Sequence, residues 1–200
     1  MDKQNSLKER LKENQKERQE FGRVLNEFER DQERFKKLKR EGFPAVEDEK
    51  LLQAASAWIF EKVYSKGPDK YFEMMATLPK PCQIFYAVGA VDCEVNNGGF
   101  NQYYYNLGHE ISTVKAEEAL DAIGAPQIAE ITRKADAVYE QIKDTLSNCM
   151  EESTIEEFMD SYDDNPLNEF DDEFAKAYET EDLVNLSIKF IRENIDCFGD

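Results

Sequence analysis

Residues that break helices are scarce in this chain and stand in a few short groups. Glycine and proline contribute 9 and 6 of the 200 residues, below their usual share of roughly 12%. Between these breaks, apolar residues recur every three or four positions, which is the spacing of one face of an α-helix. No run alternates apolar and polar residues as a half-buried strand does. The sequence therefore predicts an all-α fold.

The longest stretch without a break is the N-terminal segment. We predict that residues 1–42 form a charged amphipathic helical extension and that residues 43–200 form a single multi-helix domain. The apolar seam of the extension is interrupted by polar residues and includes Phe21, Leu25 and Phe28. We expect the second half of the extension to pack against the domain and residues 1–20 to be loosely held. A homodimer formed through the seam is the alternative.

Charge separates these two parts of the chain. In total there are 25 basic and 43 acidic side chains, for a formal net charge of -18. Residues 1–42 hold 13 basic and 10 acidic side chains, net +3, and residues 43–200 hold 12 and 33, net -21. Because a domain of this charge repels the phosphate backbone, we do not expect the chain to bind nucleic acid directly.

Cysteine and histidine are placed in a way that predicts no metal site and no cofactor. The four cysteines are scattered without a CxxC pair and there is one histidine, which leaves no paired-ligand zinc spacing. The acid spacing of a calcium loop is missing too. Reduced thiols, together with the lack of an export signal or a membrane-spanning apolar run, predict a cytoplasmic protein that does not contact the membrane.

The most distinctive motif of the domain runs from Glu94 to Asn106 and reads E-x-N-N-G-G-F-x-Q-Y-x-x-N. Adjacent glycines can adopt a positive φ and so allow two helices to meet at a sharp corner. Polar side chains beside them can satisfy the helix ends that the corner exposes. We therefore predict a structural role for Glu94, Asn97, Gly98, Gly99, Gln102 and Asn106.

The same residues permit an enzymatic interpretation. Glu94 or Asp92, with a pKa raised by apolar surroundings, could act as an acid or base beside His109 and the Tyr103–Tyr105 cluster. The motif brings no nucleophile, metal set or phosphate loop to complete such a site. We therefore predict no catalytic residues and retain an enzyme using Glu94 and His109 as the least favoured alternative.

This motif resembles that of the bacterial DNA-mimic protein family. The helical pattern from Val46 onwards is compatible with the resemblance, whereas the first forty residues lie outside it. The resemblance implies an all-helical fold and an acidic surface that takes the place of duplex DNA on a DNA-binding protein. It assigns no catalytic residues.

The densest charge lies in residues 151–182, which hold 14 acidic side chains and one basic side chain, Lys176. Laid out as one helix with a rise of about 1.5 Å per residue, a net charge of -13 gives one charge per ~3.7 Å, close to the ~3.4 Å spacing of phosphates along one DNA strand. Like charges spaced in this way destabilise a helix. We therefore predict that they bind a partner, through Glu152, Glu156, Asp160, Asp163, Asp164, Glu169, Asp172 and Glu173.

The function that the sequence favours is a non-enzymatic interaction protein: a DNA mimic that occupies the basic surface of a DNA-binding protein or transcription regulator. An immunity-type module that neutralises a basic toxin or nuclease would use the same electrostatics. Three simpler roles for the acidic segment stay open: solubility, a cation-binding face, and the ordinary enrichment of acids in first helical turns.

Overall fold

The computed structural model describes residues 2–107, 114–152 and 165–200, with side chains in 14–107, 114–143 and 165–200. The regular elements in these ranges are all helices and form a single helical domain, which confirms the predicted all-α fold. The α-helices are α1 (Asp2–Phe35), α2 (Asp48–Tyr64), α3 (Tyr71–Thr77), α4 (Lys80–Leu107), α5 (Ala116–Ile123), α6 (Pro126–Glu152), α7 (Asn168–Tyr178) and α8 (Leu183–Glu193). Short 3-10 helices lie at Arg40–Ala45, Pro68–Lys70 and Ile195–Cys197.

Helix α4 is central because it contributes to both clusters of the hydrophobic core. Its first turns place Cys82 and Phe85 in a cluster with α2, the end of α1 and the C-terminal tail. Its later turns place Val91, Val95 and Phe100 in a second cluster with α5, α6 and α7. The corner predicted within the motif therefore lies inside the second cluster.

Helix α1 attaches to the domain through one face of its last turns. Phe35 is fully buried in the α2 cluster, and Lys50 of α2 binds Glu27 at 3.0 Å and also binds Asp31. These three α1 residues are four positions apart, so they share one face of the helix.

The part of the predicted α1 seam that lies before residue 30 does not pack against the domain. Phe21, Leu25 and Phe28 are all exposed. The second half of the extension therefore packs against the domain through its last turns, as expected, but leaves Phe21, Leu25 and Phe28 uncovered. The reason is that α2 meets only the last turns of α1, where Lys50 binds Glu27 and Asp31 and where Phe35, one heptad after Phe28, is buried.

The C-terminal tail closes the α2 cluster. Phe198 is fully buried, with its ring centroid 5.9 Å from that of Phe43 and 6.1 Å from that of Phe85. The backbone N–H of Arg40 donates a hydrogen bond to the carbonyl oxygen of Asp200 at 3.2 Å. The tail therefore joins the segment that follows α1 to the start of α4.

The N-terminus of α6 is capped by a residue distant in sequence. The Glu181 carboxylate accepts hydrogen bonds from the backbone N–H groups of Gln127 at 2.8 Å and Ile128 at 2.9 Å. N–H groups in a first helical turn have no partner within the helix, and the positive end of the helix dipole favours a carboxylate. Glu181 therefore ties the turn between α7 and α8 to the start of α6.

We expect Glu181→Ala to lower the free energy of unfolding by about 1–3 kcal/mol, because it leaves two N–H groups of α6 without their acceptor in a largely buried position. Urea denaturation measures the effect. The control is Glu179→Ala, which removes an exposed carboxylate and should change stability by less than about 0.5 kcal/mol. Equal losses in the two variants would contradict the capping role.

Candidate functional site

Helix α4 turns a corner at Gly98 and Gly99. Gly99 has φ 73° and ψ -176°, a conformation that is essentially confined to glycine. A Cβ atom at position 99 would also lie 2.3 Å from Oδ2 and 2.7 Å from Cγ of Asp171. The corner therefore requires glycine at this position for its backbone conformation and for its space.

Polar side chains join the two halves of α4 across the corner. Oε2 of Glu94 accepts hydrogen bonds from Nε2 of Gln102 at 2.8 Å and from Nδ2 of Asn106 at 2.7 Å. Asn97 is exposed at the end of the first half. The Glu94 carboxylate thus fixes the angle between the halves.

Helix α7 caps the second half of α4. The backbone N–H of Phe100, which begins that half, donates a hydrogen bond to Oδ1 of Asp171 at 2.8 Å. Burial raises the pKa of the Asp171 carboxyl, and the hydrogen bond from Phe100 offsets part of the rise. The side-chain amide of Asn101 adds a hydrogen bond to Asn168, the first residue of α7. The corner is therefore also the attachment point of α7.

Aromatic rings complete the contact between α4 and α7. Phe170 and Phe174 are buried, and both meet the ring of Phe100 edge-on, with centroids 6.3 Å and 5.9 Å away. Edge-to-face pairs at this distance add stability beyond the area they bury. Together with the Asp171 hydrogen bond, they fix the rotation of α7 about its own axis.

The opposite side of α7 presents three carboxylates and Lys176 to solvent. Glu169, Asp172 and Glu173 are exposed, and their spacing of three and four residues places them on one face of the helix. Lys134 of α6 lies 3.9 Å from Glu173, too exposed a pair to neutralise the row. We refer to these three residues as the α7 acidic row.

Residues 76–194 match the family model of the DMP19-like proteins. The matched segment covers more than half of the chain and includes the corner and α7. The chain belongs to the DMP19-like protein family. This is a family of DNA mimics, which confirms the family that the resemblance pointed to; the match does not test the motif on which the resemblance was based. It is not known as a family of enzymes. Comparison with curated proteins and with solved structures found no match.

The remaining residues of the predicted acidic site lie where the structure gives no side chains. Glu156, Asp160, Asp163 and Asp164 fall outside the described residues, as does His109, and Glu152 ends α6 without a described side chain. Of the eight acids predicted to form the site, the structure therefore describes the side chains of the α7 acidic row alone.

Three other acids of the segment 151–182 serve the fold of this DMP19-like chain. Asp171 caps α4, Glu181 caps α6, and Asp182 caps α8 by accepting a hydrogen bond from the backbone N–H of Asn185 at 3.0 Å. A sequence signal exists only for Asp182, because an Asp immediately before a helical run is a preferred N-cap. The other two cap helices remote in sequence, so no local pattern reveals them.

The enzymatic alternative pairs Glu94 with His109, and the described residues include only Glu94 of the two. Glu94 is engaged by two amides and lies at the edge of an apolar groove with Phe60, Tyr86 and Cys93. Within the described ranges, no three His, Cys, Asp or Glu side chains come together in a way that could hold a metal ion. None of the described helices has the length and apolar character needed to cross a membrane.

Proposed function

We propose that this protein is a DNA mimic whose α7 acidic row, with the neighbouring acids Glu152, Glu156, Asp160, Asp163 and Asp164, occupies the DNA-binding surface of a basic DNA-binding protein such as a transcription regulator. The observation that carries the proposal is the orientation of α7. Its inner face is bonded to the α4 corner, and its outer face carries three carboxylates and one basic side chain, Lys176.

A rigid acidic surface suits this function for two reasons. Carboxylates fixed before the partner arrives need not be ordered on binding, which lowers the entropic cost of association. A concentrated negative field also attracts basic proteins over a distance and repels DNA itself. The corner motif thereby contributes to binding without touching the partner, because it sets the orientation of the row.

The cost of the acidic row to the fold supports the same conclusion. Like charges three or four residues apart destabilise a helix by a few tenths of a kcal/mol per pair. Glu169 makes such pairs with Asp172 and with Glu173, and the basic side chains that oppose them are Lys176 on the same face and Lys134, 3.9 Å from Glu173. A function in binding explains why the chain carries a surface that lowers the stability of its own helix.

The test compares two triple variants of equal charge. The first reverses the α7 acidic row (Glu169→Lys, Asp172→Lys and Glu173→Lys), and the second reverses three exposed acids around α2 (Glu47→Lys, Glu49→Lys and Asp69→Lys). Each is immobilised, its folding is checked by circular dichroism, and DNA-binding proteins captured from a source-cell lysate are identified. We expect the α7 variant to weaken capture of the partner at least tenfold and the control to weaken it less than threefold.

Competition and salt dependence complete the test. Duplex DNA should displace the captured partner, because both ligands use the same basic surface. Carboxylates on a folded domain condense fewer counterions than a duplex does, so the affinity should fall less steeply with salt than the partner's affinity for DNA. Equal losses in the two triple variants, or a partner that duplex DNA does not displace, would contradict the proposal. A basic toxin or nuclease as the captured partner would favour the immunity-type alternative.

A further inference from the structure

Helix α1 carries a continuous apolar face that nothing in the described chain covers. Phe21, Val24, Leu25 and Phe28 are 69%, 56%, 45% and 49% exposed. From position 14 to position 30, every described α1 residue except Gly22 is exposed. Large apolar side chains clustered on one exposed face usually mark an interaction surface. Helix α1 also lies outside residues 76–194, which the family model matches.

We propose that this face binds the same face of a second copy of the chain, with the two α1 helices antiparallel. The register places Phe21 of each copy opposite Leu25 of the other, around a twofold axis at the level of Arg23. Four large apolar side chains then meet at the centre of the pair. The proposal concerns assembly and does not depend on the proposed DNA mimicry.

The residues flanking the centre fit this register. At the next pair of seam positions away from the twofold axis, Arg18 of one copy lies opposite Phe28 of the other. A guanidinium can stack on an aromatic ring there. At the following pair of seam positions, Asn14 of one copy lies opposite Gln32 of the other. Polar residues therefore meet each other there and not an apolar side chain. The polar residues that interrupt the seam of a single helix are thus matched between the two copies, and polar pairs of this kind fix the register of coiled coils.

The distribution of charge selects the antiparallel arrangement. Residues 2–18 hold six basic and four acidic side chains, net +2, whereas residues 43–200 carry a net charge of -21. In an antiparallel pair, the basic half of each α1 extends towards the acidic domain of the other copy. A parallel pair would instead place two domains of charge -21 side by side, which mutual repulsion opposes.

The attachment of α1 leaves this face accessible. The ion pairs of Glu27 and Asp31 lie on the side of the helix that faces α2, and Phe35 is buried two turns after Phe28. A second helix can therefore lie along Phe21 and Leu25 without displacing the contacts that join α1 to its own domain.

The first experiment measures the mass of the full chain by sedimentation equilibrium at 100 µM and at 1 µM. We expect twice the chain mass of 23.2 kDa for the wild type at the higher concentration and the chain mass itself for Phe21→Asp/Leu25→Asp. Both positions are exposed, so the variant should keep its helical circular dichroism. The control is Val184→Asp, which places the same charge at an apolar residue of α8 that is 42% exposed and should remain dimeric.

The second experiment determines the direction of the helices by cysteine cross-linking in a background with Cys93→Ser and Cys149→Ser. Asn14→Cys and Gln32→Cys chains should form a disulfide-linked dimer when mixed and oxidised, and neither should do so alone. Cross-linking of each variant with itself would show a parallel pair and overturn the proposal. A monomeric wild type at 100 µM, or a dimeric Phe21→Asp/Leu25→Asp variant, would overturn it as well.

Discussion

Gly99→Ala should lower the free energy of unfolding by about 3–5 kcal/mol. Holding a residue with a Cβ atom in this backbone region costs about 1–3 kcal/mol. The new Cβ atom would also lie 2.3 Å from the Asp171 carboxylate, so Asp171 must move away and leave the N–H of Phe100 unsatisfied, which costs about 1–3 kcal/mol more. Valine at this position should be worse, because its branched Cβ adds to the crowding.

The matched control for Gly99→Ala is Gly89→Ala in the same helix. A Cβ atom at Gly89 meets nothing within 4 Å, and alanine in a helix interior is more favourable than glycine by about 0.5–1 kcal/mol. We therefore expect opposite signs for the two substitutions in urea or thermal denaturation. A Gly99→Ala protein of full stability that failed to bind its partner would instead identify the corner as part of the contact surface.

Phe198→Ala should have a comparable effect, a loss of about 3–5 kcal/mol, which is the usual cost of truncating a fully buried phenylalanine. The ring lies between those of Phe43 and Phe85, so its removal leaves a cavity between the end of α1 and the start of α4. Phe72→Ala is the control, since Phe72 is 49% exposed and its truncation should cost less than about 1 kcal/mol.

A second measurement separates the local effect of Phe198 from a general loss of stability. The tail binds the backbone of Arg40, so its release should expose the segment between α1 and α2. Limited trypsin digestion under native conditions should then cut Phe198→Ala between Lys36 and Arg40 before other sites. Cleavage there at the wild-type rate, in a variant of unchanged stability, would show that the tail does not hold this segment.

Much of the fold and part of the site follow from local sequence patterns. The helical spacing of apolar residues predicted the helices, and the glycine pair predicted the corner in α4, because both depend on residues within one or two turns of each other. For the same reason, the spacing of Glu169, Asp172 and Glu173 predicted that they would share one face of α7. The excess of acidic residues, which points to a basic partner, is a property of composition and needs no structure.

The sequence by itself thus determined the helical class, the breaks between helices and the acidic character of the domain. Only the tertiary structure decided how individual side chains are used. It separates Asp171 and Glu181, which cap helices more than 50 residues away, from the neighbouring acids that face solvent. It also selects the face of α1 that packs on α2, through the ion pairs of Lys50. These choices rest on contacts between residues far apart in the chain, and the period of a helix carries no information about which distant element each of its faces will meet.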